Sequence, residues 1–134
     1  MTKHKSKDLD FSSFLLIKHQ LKNIKQMDIN VVGKSMIPVY KPEGQVLKVS
    51  FIENIKSLKR FDIIVFWQNN MLISHYYWKK NAYFNDPNEP TIMTRPLNPI
   101  KSFDHPIKND QILGILPEKI SLWLKLKILM KIIF

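Results

Sequence analysis

The sequence of 134 residues has no cysteine, only three glycines and four histidines. Without cysteine, the chain forms neither disulfides nor thiolate metal ligands. The histidines do not follow the spacing of metal ligands, so we expect no zinc site, no other metal and no cofactor. No run of about 18 apolar residues is present, and we therefore predict no membrane-spanning helix.

Acidic residues are also scarce. The chain has 11 Asp and Glu but 21 Lys and Arg, which gives a net charge of +10. Such a surface favours anionic partners, either nucleic acid or acidic lipid headgroups. Paired Cys/His spacing and an aromatic–glycine RNA-binding strand are both missing, so nucleic acid is not an expected partner. The basic start of the chain is not followed by a clean apolar core, which is atypical of a secretory signal.

The residue pattern divides the chain into three parts. Residues 1–26 combine a basic, charged tail with an amphipathic helix at about 11–25, for which Asp10 is the predicted N-cap. Residues 27–116 form the central domain, and 117–134 form a basic amphipathic helix with Trp123 near its start. For both helices two interpretations stay open, namely packing on their own domain and lying on a membrane surface. The carboxy-terminal helix could also dock on a partner.

Short apolar runs bounded by turn residues predict strands in the central domain. Asn69 and Asn70 are expected to form a two-residue hairpin turn. Residues 96–110 contain three prolines and predict a long irregular loop. The predicted strands are 29–33, 46–51, 62–67, 71–78, 82–84, 91–94 and 111–115.

A serine follows the first of these strands. A strand that ends at Gly33 and turns sharply presents its next side chains at a rim, where Ser35 is a candidate nucleophile. A serine hydroxyl needs a base to take its proton. Lys34, Lys41 and the histidines are candidates. His75 lies in the middle of an apolar hairpin arm, either as a hydrogen-bonded structural residue or as a working base.

An imidazole that acts as a base benefits from a carboxylate that fixes its tautomer. Asp104, in the proline-rich loop, is the candidate for this role. The same residue type also serves in turns, where it bonds its own backbone. His105 follows directly and is a competing candidate base.

The segment Gly33-Lys34-Ser35-Met36-Ile37-Pro38 resembles the Gly-x-Ser-Met-x-Pro box of the signal peptidase I family, within a wider clan that includes the LexA-like peptidases. Arg60–Phe66 is similar to the Gly-Asp-Ile-Val-x-Phe strand of that family, and Ile112–Ile115 to its closing Leu-Gly-Lys-Val strand. His75 stands where the His-type branch has its base. The resemblance covers residues 27–116 and keeps the family's order of segments.

The sequence also departs from the family at several positions. Phe61 stands where the family has Gly, and Tyr76 stands where it usually has Arg. Arg95-Pro96-Leu97 replaces a Gly-Asp pair near Asn98. Since position 75 is not Lys, the resemblance implies a Ser–His site rather than a Ser–Lys dyad.

The resemblance implies a mainly β fold of coiled, twisted sheets, to which the residue pattern adds an amino-terminal and a carboxy-terminal amphipathic helix. It implies a serine endopeptidase that removes a leader or signal peptide from a peptide or preprotein with small residues before the cleaved bond. Its site residues would be Ser35 as nucleophile, His75 as base, Asp104 as orienting group, the backbone of Ser35 and Gly33 as oxyanion site, and Met36 and Pro38 as substrate contacts.

Other function classes stay open at this stage. A catalytically inactive relative would bind peptides or act as a membrane-surface module without needing Ser35. A LexA-like self-cleaving regulator normally needs a Lys base and a DNA-binding segment, and neither is found. For the peptidase we expect peripheral attachment to an anionic membrane through the terminal helices, and otherwise a cytoplasmic location.

Overall fold

The structure is a computed structural model that describes residues 9–31, 33–41, 43–80 and 91–133. Within these residues the protein is mainly β, as predicted, with one seven-stranded sheet and two α-helices. The helices are α1 (Phe11–Ile24) and α2 (Leu122–Ile133), and the strands are β1 (Gln26–Val31), β2 (Gln45–Ser50), β3 (Ile63–Gln68), β4 (Met71–Lys80), β5 (Thr91–Arg95), β6 (Ile107–Lys108) and β7 (Ile112–Ile115).

The sheet has the order β1-β2-β7-β3-β4-β5-β6, and every neighbouring pair is antiparallel. The β3–β4 hairpin turns at Asn69 and Asn70, which have φ angles of 52° and 60°. Two successive positive φ values are typical of the tight turns that match strand twist, and asparagine tolerates them well. The predicted hairpin turn is therefore confirmed.

Strand β3 lies between β7 and β4 and is buried on both faces. Ile63 and Val65 belong to the larger core cluster, whereas Ile64 and Phe66 belong to a second cluster on the other side of the sheet. Successive strand residues point to opposite faces, so a strand covered on both sides needs an uninterrupted apolar run.

Strand β7 approaches β2 closely at one point, where Ser50 pairs with Ile115. A Cβ atom on Gly114 would lie 2.2 Å from the carbonyl oxygen of Ser50. No side chain fits at that distance, which explains why glycine stands at this position in the closing strand.

Helix α1 begins at the predicted cap, since the Ser13 N–H donates to Asp10 Oδ1 at 2.7 Å. Its apolar face packs on the sheet through Phe14 and Leu21, which are fully buried. The Phe14 ring lies 6.2 Å from that of Trp67. Burial of this face accounts for the position of α1 against the domain.

Helix α2 also packs on the domain, through Leu124 and Ile128 in the same core cluster as Phe14. The Ser121 hydroxyl accepts from the Leu124 N–H at 3.2 Å and caps the first turn. Both helices thus use one face for docking. Among the helices in the described ranges, none is long and apolar enough to cross a bilayer.

Most predicted strands differ from the observed ones by one or two residues, and two predictions need a larger correction. The strand predicted at 29–33 begins at Gln26 and ends at Val31. The loop predicted at 96–110 contains β6, because Ile107 keeps the N–H that Pro106 lacks and pairs with Ile92. The predicted strand at 82–84 and most of the predicted charged tail lie outside the described residues.

Candidate active site

Ser35 begins the turn of residues 35–39 that follows β1. Its carbonyl oxygen accepts two backbone hydrogen bonds, from the N–H of Leu97 at 2.7 Å and from that of Asn98 at 2.9 Å. Both donors lie in the segment that follows β5. This segment therefore holds the backbone of the candidate nucleophile in place relative to the sheet.

Gly33 introduces the turn with a φ of +111°. Among the residues that the structure describes, apart from the chain neighbours of Gly33, no atom lies within 4 Å of a Cβ built on this residue, so space does not require glycine here. The backbone conformation does, because L side chains are strained at this angle. Glycine therefore allows the change of chain direction that was expected just before Ser35.

A cavity of about 480 Å³ opens beside the turn, and both Ser35 and His75 line it. Its walls are largely apolar and include Ile29, Met36 and Leu72. Ile29 comes from β1 and Leu72 from β4, although three strands separate β1 from β4 in the sheet. The sheet therefore curls so that its first strand faces its central hairpin across the cavity.

His75 is buried in β4, and its Nδ1 atom lies 2.6 Å from Oδ2 of Asp104. A carboxylate only accepts hydrogen bonds, so Nδ1 carries the proton in this contact. The tautomer leaves Nε2 with the lone pair that a general base needs. The imidazole and the Phe66 ring are packed edge to face, with the two centroids 6.0 Å apart and an angle of 67° between the planes.

Thr94 is a further member of the site that the sequence analysis missed. It is fully buried, and its Oγ1 donates to Asp104 Oδ2 at 2.6 Å. The backbone N–H of Asp104 donates in turn to the Thr94 carbonyl at 3.0 Å. A threonine in a strand is too common to mark a site. Thr94 meets Asp104 only because the loop that follows β5 folds back along this strand.

The other candidate bases lie elsewhere. The described residues that line the cavity of Ser35 include no lysine and no histidine other than His75. Each alternative within the described ranges is exposed, and His4 lies outside them. These exposed alternatives are His19, Lys34, Lys41 and His105.

The two predicted substrate contacts are separated by the structure. Met36 is buried and lines the cavity with Ser35. Pro38 is exposed and lines a different depression, next to Glu118 and α2. Nearby, the Tyr40 hydroxyl donates to Glu118 at 3.0 Å, and burial together with this carboxylate raises the pKa of Tyr40. The Pro38 side of the turn therefore connects the site to the start of α2.

Within the described ranges, no group of three or more His, Asp or Glu side chains is arranged to hold a metal ion. Comparisons of this chain with protein-family models, with curated proteins and with solved structures returned no match. Any function of this site is therefore inferred from the chemistry of the named residues and from their arrangement.

Proposed function

We propose that this protein is a serine endopeptidase of the signal-peptidase-like type, which removes a leader or signal peptide through an acyl-enzyme. The observation that supports it most is the arrangement around one cavity. Ser35 and His75 both line the cavity, and Asp104 lies 2.6 Å from the ring nitrogen of His75. A nucleophile, a base and an orienting acid are the three parts of serine-dependent acyl transfer.

Acylation would begin when Ser35 Oγ attacks the carbonyl carbon of the scissile bond. His75 Nε2 takes the hydroxyl proton as the new C–O bond forms. The tetrahedral intermediate then collapses, the C–N bond breaks, and the leaving amine takes the proton from His75. A water molecule, deprotonated by the same imidazole, cleaves the ester and restores Ser35. Asp104 stabilises the imidazolium in both halves of the cycle.

The oxyanion of the intermediate needs hydrogen-bond donors. The backbone N–H groups of Ser35 and Gly33 are the proposed ones, because Gly33 has no side-chain hydroxyl to offer. Removing one such donor typically slows turnover by roughly 100- to 1,000-fold. Backbone donors have the advantage that the hydrogen bonds from Leu97 and Asn98 to the Ser35 carbonyl already fix this turn.

The substrate would bind as an extended strand. Strand β1 is at the edge of the sheet, and its Ile29 and Asn30 line the cavity. An edge strand offers unpaired backbone groups to which a peptide can add. The apolar walls of the cavity suit small uncharged side chains before the cleaved bond, in agreement with the substrate class that the sequence resemblance implies.

The proposal is tested with peptides that carry an apolar segment followed by Ala-x-Ala. Mass spectrometry of the products locates the cleaved bond. We expect cleavage after the second Ala by the wild type, none by Ser35→Ala, and full cleavage by Ser12→Ala, which removes an exposed hydroxyl of α1. Equal cleavage by Ser35→Ala would contradict the proposal. Binding of the peptides without cleavage would favour the inactive peptide-binding relative.

A further inference from the structure

Helix α2 has a second apolar face, which the fold leaves exposed. Leu124 and Ile128 dock on the sheet and are at most 8% exposed. Five large apolar side chains of the same helix are instead 52–74% exposed. Single exposed apolar residues are ordinary, but a contiguous set marks an interaction surface. We call this set the α2 stripe, and it consists of Leu122, Trp123, Leu126, Met130 and Ile133.

The α2 stripe lies opposite the docked face. At about 100° per residue, its five members fall within an arc of roughly 100°, and Leu124 and Ile128 project from the other side. Helix α1 differs, because its exposed apolar residues Leu15, Leu16 and Ile24 spread over roughly 180°. The exposed apolar residues of α1 are therefore scattered round the helix, whereas those of α2 form one continuous strip.

Lysines border the α2 stripe. Lys127 lies beside Trp123, with its ammonium 5.4 Å from the ring centre, whereas Lys131 and Lys125 lie farther round the helix on either side, roughly 80° and 60° beyond the edges of the stripe. The helix contains no acidic residue, and the nearest acid before it, Glu118, already accepts the hydrogen bond of Tyr40. An apolar strip between cations is complementary to a surface with an apolar interior and anionic groups at its boundary.

We propose that α2 binds the surface of an anionic lipid bilayer through this stripe. The helix then lies in the plane of the membrane, since 12 residues span about 18 Å and the hydrocarbon core is about 30 Å thick. The apolar side chains enter the boundary between headgroups and acyl chains. The lysine stems extend outward so that their ammonium groups meet the lipid phosphates.

A second copy of the chain fits this face less well. Two α2 stripes packed against each other would bring Lys127 of both copies to the border of one interface, with the other lysines of the helices adding to the same positive charge. The helix has no acid to pair with them, and like charges at a closed interface are costly. An anionic membrane supplies the opposite charge and allows the long side chains to remain hydrated.

The experiment uses the full chain with phosphatidylcholine vesicles and with vesicles that also contain phosphatidylglycerol. We expect co-sedimentation with the anionic vesicles only, weakening with salt because exposed charges are screened. Trp123 is exposed, whereas Trp67 is half-buried and Trp78 buried. Binding should therefore shift the tryptophan emission to shorter wavelength, and Trp123→Phe should abolish most of this shift while leaving co-sedimentation.

The double variant Leu126→Ser with Met130→Ser should bind the anionic vesicles at least about tenfold more weakly, because it removes apolar area from the stripe. Leu16→Ser is the matched control, since Leu16 is 73% exposed but lies on α1, and it should bind as the wild type does. Labelling of Ser35 by a serine-directed probe, measured without lipid, separates loss of docking from loss of fold or chemistry.

Three results would overturn the proposal. The first is wild-type affinity of the double variant for anionic vesicles. The second is failure of the wild-type protein to bind either kind of vesicle. The third is a dimer in sedimentation equilibrium that the double variant dissociates, since a second copy would then cover the stripe.

Discussion

His75 and Asp104 are 29 residues apart in the sequence and meet through a hydrogen bond of 2.6 Å between Nδ1 and Oδ2. The two side chains are only 10% and 17% exposed, so water competes little for the contact. Charge-assisted hydrogen bonds of this length are stronger than neutral ones. The contact fixes the ring and its tautomer, and in the proposed mechanism it stabilises the imidazolium.

The substitution Asp104→Asn tests this contact because it keeps the size of the side chain and removes its charge. An amide neither holds the tautomer reliably nor stabilises the imidazolium. We expect the rate of Ser35 labelling by a fluorophosphonate probe to fall on the order of 10³- to 10⁴-fold. A rate within about tenfold of the wild type would mean that Ser35 and His75 act as a dyad, without the carboxylate.

Thr94 is predicted to act on the site through Asp104. A hydrogen bond to a charged group is worth about 1.5–3 kcal/mol, so Thr94→Val should slow Ser35 labelling by roughly 10- to 100-fold. Thr94→Ser keeps the hydroxyl and should label at nearly the wild-type rate.

A double-mutant cycle separates this positioning role from a general effect on the fold. If Thr94 acts only by orienting Asp104, adding Thr94→Val to Asp104→Asn should slow labelling no further. Fully additive losses would contradict the positioning role and would indicate that Thr94 matters for packing alone.

Tyr76 carries an unusual hydroxyl. The residue is fully buried and its OH bonds to no residue in the described part of the chain. Burial raises the pKa of Tyr76 to about 12, against a smaller lowering effect of Arg95. An unpaired buried hydroxyl costs at least about 1 kcal/mol, so Tyr76→Phe should raise the free energy of unfolding by about that amount.

The same substitution changes the pH dependence of stability. The folded protein disfavours the charged phenolate of Tyr76. Ionisation therefore leaves the free energy of unfolding unchanged below the unfolded pKa of about 10 and lowers it as the pH rises from there through the folded pKa of about 12. Urea denaturation at pH 7 and at pH 11 should show a smaller alkaline loss in Tyr76→Phe than in the wild type. Lower stability of the variant at pH 7 would mean that the hydroxyl has a partner.

Much of this architecture could be predicted from the order of apolar and polar residues. The apolar run at 62–67 predicted the strand β3, and the Asn69-Asn70 pair indicated the hairpin turn that places His75 in its second arm. Ser35 and His75 could be named because a glycine turn and an imidazole in an apolar arm are local signals. These features depend on neighbours in the sequence.

Other features depend on contacts between segments that are far apart in the sequence. From the sequence alone, Asp104 fits both a turn residue and an orienting acid, and only the fold brings the loop after β5 to His75. Thr94 had no signal at all. For α2, both faces are apolar, so the pattern alone could not separate the docked Leu124 and Ile128 from the exposed stripe.

Phe61 departs from the sequence motif that its segment resembles, and it has an unusual backbone conformation. It stands where the signal peptidase family has Gly, and its φ of 78° is a conformation that favours glycine. Its ring nevertheless packs 5.6 Å from that of Tyr76 and 6.0 Å from that of Trp78. The aromatic contacts therefore offset the backbone strain at this position.

Truncation of Phe61 separates the two effects. We expect both Phe61→Ala and Phe61→Gly to be less stable than the wild type. The free energy of unfolding of Phe61→Gly should nevertheless be higher than that of Phe61→Ala by about 1 kcal/mol, because glycine adopts the positive φ without strain. Val46, an exposed residue of β2, is the control, since glycine should there be less stable than alanine. If Phe61→Gly were less stable than Phe61→Ala, as expected at Val46, the proposed backbone strain at position 61 would be contradicted.

The most direct test of the central claim is intact-mass analysis after incubation with a fluorophosphonate probe. The account predicts one adduct on the wild type, located at Ser35 by peptide mapping. It predicts no adduct on Ser35→Ala, a rate lowered by orders of magnitude in His75→Ala, and full labelling of Ser12→Ala. Labelling of Ser35→Ala at the wild-type rate would contradict the assignment of Ser35 as the nucleophile.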